Sequence, residues 1–265
     1  MKNLKLGFGS QLLLLLTLLS TGLSAQAAVI VYSNNFDNGA ESLSDFTVGS
    51  GLGDIGPYSV SIESGQLKIS TSTPTPSKGY AAINTSNFAP PYNSILKNNP
   101  GLVSWSFNLS NCDGIYNNEF FFTLASNACD STLYTSTSYI FSGGGYVGNR
   151  MMLSSNPLTP IIDIQNGGLP TLPSKGSFRI TYNPTTDVWS LYGQYGSSYV
   201  DPTSITYLLG SGTDSTYTHL SLPYMCIGGG DTGVDYFDNV TISVIPEPTT
   251  LLLLGLGAVL LSKRR

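Results

Sequence analysis

Histidine occurs once in the 265 residues, at His219, and cysteine only three times. A single histidine excludes multi-histidine metal centres, and a Ser-His-Asp relay would have to rest on His219 alone. No GxSxG nucleophile turn accompanies it, so Tyr217-Thr218-His219-Leu220 reads as a strand carrying a structural histidine. HExxH and Walker A patterns are also missing. There is no CxxC and no Cys/His cluster, which excludes structural zinc. Charged residues make up only 10% of the chain, and no stretch shows the 3.6-residue apolar period of an amphipathic helix. Low charge with abundant Ser and Thr would suit a disordered chain, but an aromatic content of 11% calls for a packed core.

Hydrophobic runs are confined to the two ends. Lys2 and Lys5 precede a leucine run from Leu12 to Leu19, followed by Ala25-Gln26-Ala27. A basic start, a short apolar centre and small residues before the cut define a secretory signal peptide over residues 1–27. Signal peptidase would cleave between Ala27 and Ala28, after delivery by the secretion machinery. At the other end stand Pro246-Glu247-Pro248, an uncharged run from Leu251 to Leu261, and Lys263-Arg264-Arg265. Eleven residues are short of the roughly 20 that span a bilayer, though basic side chains can snorkel and keep such a segment inserted. The basic end would stay cytoplasmic and the preceding domain outside. Two prolines fix φ and remove donors, so the tripeptide is expected to be extended and unpaired.

This tail resembles the PEP-CTERM sorting signal of bacterial exported proteins, over residues 246–265. The resemblance implies recognition by an exosortase and cleavage near Pro246-Glu247-Pro248. The chain would be held transiently in the inner membrane by its C-terminal helix and then reach the cell surface or extracellular space. Its usual setting is a bacterium that makes extracellular polysaccharide, which becomes a candidate partner. The signal carries an address and no chemistry.

Between the two addresses lie residues 28–245, the length of one β-sandwich domain. Removing the ends leaves six basic residues against fifteen acidic ones, a net charge of −9. That balance excludes nucleic acid as a partner and suits divalent cations and neutral or amine-bearing polymers. Strands recur at short intervals. Tyr58–Ile62 and Leu67–Ser70 alternate around Glu63-Ser64-Gly65-Gln66, a hairpin. Leu102–Leu109 puts Val103, Trp105, Phe107 and Leu109 on one face. Glu119–Leu124, with three consecutive phenylalanines, reads as a strand buried on both faces. Phe178–Tyr182 and Val188–Tyr192 flank a five-residue turn, and Tyr236–Val244 closes the domain. Gly143–Gly145 and Gly228–Gly230 lack a following helix and read as loops or bulges.

The second hairpin, the closing strand and an early Asn35-Phe36-Asp37 in first-strand position together resemble concanavalin A-like jelly rolls. The resemblance implies an all-β fold, a two-sheet antiparallel sandwich with a concave face open to glycans. Jelly-roll glucanases of this kind carry Glu-x-Asp-x-x-Glu along one strand. Here Glu41, Glu63 and Glu119 are isolated, which disfavours the carboxylate pair a glycoside hydrolase needs.

The expectation is therefore a non-enzymatic exported protein, processed by exosortase and acting at the cell surface or in the matrix, with no catalytic residues assigned. A carbohydrate-binding module is the alternative, and a glycoside hydrolase the third reading. Candidate sugar platforms are Trp189, Tyr192, Tyr195 and Tyr199, because aromatic rings offer flat area at low entropic cost; the competing place for Trp105 and Trp189, and for each singly the favoured one, is the core. No cofactor is required, but calcium prefers oxygen ligands, and Asp37 with Asp238, or Asp231 and Asp235, offer them. Cys112 and Cys129 form the candidate disulfide, closing a loop worth about 3 kcal/mol, and Cys226 would then be a buried free thiol. Three pairings remain open at this stage.

Overall fold

The computed structural model describes residues 27–50, 58–71, 79–111, 119–128, 137–144, 150–155, 159–165, 175–230 and 233–247. The signal peptide up to Gln26, Cys112, Cys129, Asp231 and the tail from Pro248 onward lie outside them. Ala27 and Ala28 are exposed and precede the first strand.

Fifteen strands form two sheets among the described residues. One holds β1 (Val29–Asn34), β3 (Tyr58–Glu63), β4 (Gln66–Thr71), β6 (Gly101–Asn111), β11 (Lys175–Asn183), β12 (Val188–Gly196), β13 (Leu208–Thr213) and β15 (Val234–Pro246). Its order is β13-β12-β11-β6-β15-β4-β3, with β1 also paired to β15. The other holds β2 (Thr47–Ser50), β5 (Gly79–Asn84), β7 (Glu119–Ser126), β8 (Ser138–Gly144), β9 (Arg150–Ser154), β10 (Pro160–Gln165) and β14 (Tyr224–Gly230), in the order β10-β9-β8-β7-β14-β5-β2. Every pairing is antiparallel. This is the expected two-sheet jelly roll.

Side-chain alternation builds the core. Val103, Trp105, Phe107 and Leu109 of β6 are fully buried on the inner face. Phe107 stacks on Phe122 of the opposite sheet at 4.3 Å between ring centres, with Phe141, Phe178 and Phe237 around it. Farther along, Trp189 stacks on Tyr139 at 4.4 Å and on Trp105 at 5.9 Å, and Tyr182 packs beside it. β7 is buried on both faces, as its three phenylalanines predict: Phe121 joins Tyr80, Ala82, Ile140 and Cys226 in a second, smaller cluster.

Several local expectations are corrected. Asn35-Phe36-Asp37 is the turn after β1 rather than the first strand. The Asn34 side-chain oxygen accepts from Phe36 N–H at 2.8 Å, and Phe36 takes φ +56°, which ends the extended run. Gly228–Gly230 is part of β14, a central strand. A Cβ at Gly228 would come within 1.9 Å of the Phe121 ring, and one at Gly229 within 2.1 Å of the Asp235 carboxylate. A neighbouring strand on one side and the opposite sheet on the other thus fill the space that side chains would need. His219 lies exposed in the turn before β14, not in a strand.

Cys226 is disulfide-bonded, not a free thiol. The expected Cys112–Cys129 pair lies outside the described residues, so the correction concerns Cys226 alone.

The sorting motif is also not wholly free. β15 runs through Pro246, which faces Gly101 of β6, and Glu247 N–H donates to the Pro100 carbonyl at 3.3 Å. The expected unpaired tripeptide is therefore paired at its first two residues.

Candidate functional site

Side chains that point away from the core at the centre of the eight-stranded sheet are mostly polar. Across its centre run Ser190, Thr181, Ser104 and Ser243, then Tyr192, Arg179, Ser106 and Thr241, then Gln194, Ser177, Asn108 and Asp238. Much of this face is nonetheless buried, because the segment after β12 folds back over it. Val200 N–H donates to Ser177 Oγ at 3.1 Å, and the Ser177 hydroxyl donates to the Val200 carbonyl at 3.2 Å. Asp201 caps the 3-10 turn Pro202–Ser204 by accepting from Thr203 N–H at 2.9 Å, and that turn packs on β6 and β11. Proline at the first turn position and the aspartate cap make this local fold predictable from its residues.

Between the folded-back segment and the sheet lies an open groove of about 370 Å³, lined by Asn108, Tyr199, Asp201, Thr203, Asn239 and Thr241 among others. Asn108 is 1% exposed, and its side-chain carbonyl oxygen has no hydrogen-bond partner. An unsatisfied buried acceptor is destabilising by about 1–3 kcal/mol, so a ligand hydroxyl that donates to it gains accordingly. Asn239 holds φ +50° at the β-bulge between Asp238 and Thr241, which turns its side chain toward the groove wall. Tyr199 accepts from Gln66 Nε2 at 3.3 Å, and the Lys175 ammonium lies 5.0 Å from its ring centre. Burial pushes the Tyr199 hydroxyl upward in pKa and the Asp238 charge adds to this, against hydrogen bonding with Ser110 and Gln66. Beside the groove, the Arg179 guanidinium stacks 4.5 Å from the Tyr192 ring centre.

The four candidate aromatics do not form one platform. Trp189 is fully buried; its indole N–H donates to the Asp214 carbonyl at 3.1 Å, so it serves the core and not a ligand. Tyr195 packs on Phe178 at the core edge, with its hydroxyl 3.5 Å from Met151 Sδ. Tyr192 and Tyr199 share the outer face, and only Tyr199 lines the groove. Sequence reading missed Asn108, Asn239, Thr241 and Thr203. The period-two alternation of β6 already placed Asn108 opposite the core face, which was the available signal.

The acids divide by environment. Glu63 pairs with Lys68 at 2.6 Å, and Asp187 with Lys97 at 2.7 Å. Burial disfavours the Asp187 carboxylate, but Lys97 and the Tyr182 hydroxyl outweigh it and hold its pKa below the ordinary range. Asp235 is buried inside the sandwich. Asp37 and Asp238 do feel each other: burial first, then the Asp37 charge, raises the Asp238 pKa, while Asn239 N–H works the other way. Among the described residues no three His, Cys, Asp or Glu side chains converge to hold a metal.

The raised Asp238 pKa has a stability consequence. Folding penalises its ionised form, so the penalty is complete above the folded pKa and gone below the unfolded value of about 3.9. Asp238→Asn is expected to raise Tm at pH 7, with the gain disappearing as pH falls through that window. Melting curves between pH 3 and 8 test this, and a variant less stable than wild type at pH 7 would contradict it.

Residues 244–265 match the PEP-CTERM protein-sorting motif. No characterised protein matches the chain by sequence. Among solved structures, lectin II from Ulex europaeus is 13% identical with a TM-score of 0.52, covering 82% of this chain and 99% of that one. The basic winged bean lectin with Tn-antigen is 9% identical with a TM-score of 0.51, covering 82% and 98%. At these identities the likeness is one of fold. The chain thus carries a PEP-CTERM sorting motif, which indicates export, and its domain has the fold of a concanavalin A-like jelly roll.

Proposed function

We propose that this protein is a non-enzymatic carbohydrate-binding module of the cell surface or extracellular matrix, which holds neutral or amine-bearing polysaccharide in the groove on its eight-stranded sheet. The observation that carries the reading is the buried, unpartnered carbonyl oxygen of Asn108 at a groove edged by Tyr199, Thr203, Asn239 and Thr241. Amides and hydroxyls that both donate and accept, beside one aromatic ring, match the vicinal hydroxyls and apolar faces of a sugar. The folded-back segment is held by its own cap and by Ser177, so the groove needs little ordering on binding. A net charge of −9 between the two sorting segments disfavours acidic polymers.

Calcium enters as an expectation on Asp37 and Asp238. The ion would relieve their repulsion but would draw most of its six to eight oxygens from neutral groups. Millimolar calcium should then raise the Tm of the wild type and not that of Asp238→Asn.

Titration of the secreted protein with neutral and amine-bearing polysaccharides tests the main reading. Tyr199→Ala is expected to weaken binding about tenfold or more, as loss of an aromatic anchor does, with Tm unchanged. No binding to any of these polymers, or binding indifferent to Tyr199→Ala, would refute it.

A further inference from the structure

Both points where targeting segments join the domain lie side by side. Val29 of β1 pairs with Val244 of β15, so Ala27-Ala28 and Ile245-Pro246 sit at the same end of the sandwich. Val29 and Ile30, at this end, are among the few large apolar side chains left exposed. The apolar run from Leu251 begins four residues after Glu247, so a tail held in the membrane would keep this end close to it. The two junctions differ in one respect. Ala27 and Ala28 are exposed and outside any strand. Glu247, in contrast, is engaged twice: its N–H with the Pro100 carbonyl at 3.3 Å, and its carboxylate with the Thr185 hydroxyl, which donates to it.

The fit around this residue is close. A Cβ on Gly101 would lie 2.1 Å from the Ile245 carbonyl oxygen and 2.8 Å from Glu247 N, so only glycine lets β15 continue to Pro246. Thr185 is held in place by the β11–β12 turn, where its N–H donates to the Asn183 side-chain oxygen at 2.8 Å. Asp187 closes the same turn through its N–H to the Asn183 carbonyl at 2.9 Å. The partners of Glu247 therefore exist only once β6, β11, β12 and β15 have come together.

We propose that Pro100, Gly101 and Thr185 form a dock for Glu247 on the folded domain, and that exosortase cuts only the fraction of molecules in which Glu247 has left it. A protease that reads an extended Pro-Glu-Pro segment needs the backbone N–H and the carboxylate that the dock holds. Its apparent affinity is then reduced by the undocked fraction. Thr185 is a positioning residue in this scheme: it sets how often the motif is available and takes no part in cleavage. Signal peptidase meets no such barrier at Ala27-Ala28, so N-terminal processing precedes C-terminal processing.

The test is a pulse-chase of the full chain in a host with an active exosortase, with both termini followed by intact mass. Thr185→Val keeps the shape and removes the donor. It is expected to speed C-terminal processing about three- to tenfold, the change that loss of one ordinary solvent-exposed hydrogen bond produces. Thr185→Ser should restore the wild-type rate, and no variant should change N-terminal cleavage. Gly101→Ala displaces the end of β15 without touching Thr185 and should also speed C-terminal processing. Melting of the purified full chain shows whether each variant is folded. A folded Thr185→Val processed at the wild-type rate, or more slowly, overturns the proposal. A wild type that is never shortened at its C-terminus instead refutes the processing step itself, and the dock's role with it.

Discussion

Cys226→Ala is expected to lower stability by about 4–5 kcal/mol, or roughly 10–15 °C in Tm for a domain of this size. Whether Cys226 is joined to Cys112 or to Cys129, the bridge closes a loop of roughly 100 residues, and in the chain-entropy model the stabilisation grows with the logarithm of that length. The Cys112–Cys129 pairing that spacing favours would have contributed about 3 kcal/mol. Cys226 is also fully buried against Tyr80, Ala82, Phe121 and Ile140, so the bridge ties the outer face of the seven-stranded sheet to a distant part of the chain. Thermal melting of oxidised wild type, reduced wild type and Cys226→Ala makes the comparison. The last two should coincide, and one of Cys112→Ala and Cys129→Ala, not both, should match them. A Cys226→Ala variant that melts with oxidised wild type would contradict the bridge.

Trp189→Ala is expected to cost about 3–5 kcal/mol, the range for removing a large aromatic from a packed core. Trp189 is fully buried between Trp105, Tyr139 and Tyr182, and its N–H meets the Asp214 carbonyl. Tyr139 anchors the same region by donating to Asp214 at 2.9 Å and accepting from Tyr217 N–H at 3.0 Å, so the cavity cannot collapse easily. Chemical denaturation measures the loss. Tyr199→Ala provides the contrast, since it should weaken polysaccharide binding and leave stability near wild type. If Trp189→Ala instead spared stability and abolished binding, the assignment of core and platform would have to be exchanged.

The two aromatics show what was legible in advance. Val103, Trp105, Phe107 and Leu109 were assigned to one face from alternation alone, since a strand's side-chain period is local. Trp189 alternates in the same way within its own hairpin, and that placed it in a strand without saying which face met the opposite sheet. Tyr199 follows its strand in a segment with no period, so its place at the groove depends on how residues 197–205 fold back over β6 and β11. Asn108 looked like a solvent-facing residue for the same reason: its cover comes from a segment some ninety positions later in the chain. Gly228–Gly230 read as a loop because glycines carry no pattern, and only Phe121 in the adjoining strand and Asp235 in the opposite sheet show why the residues there are small.

By itself the sequence determined the address and the class of fold. The Pro-Glu-Pro motif, the two apolar ends and the two-residue period are properties of short windows, and hydropathy and backbone sterics act within them. Tertiary structure decided that Cys226 is bridged and not free, which aromatics remain at the surface, and that Glu247 rests against Thr185 and Pro100. Those outcomes depend on which distant strands become neighbours, and that choice is made by burying one common core rather than by any local preference.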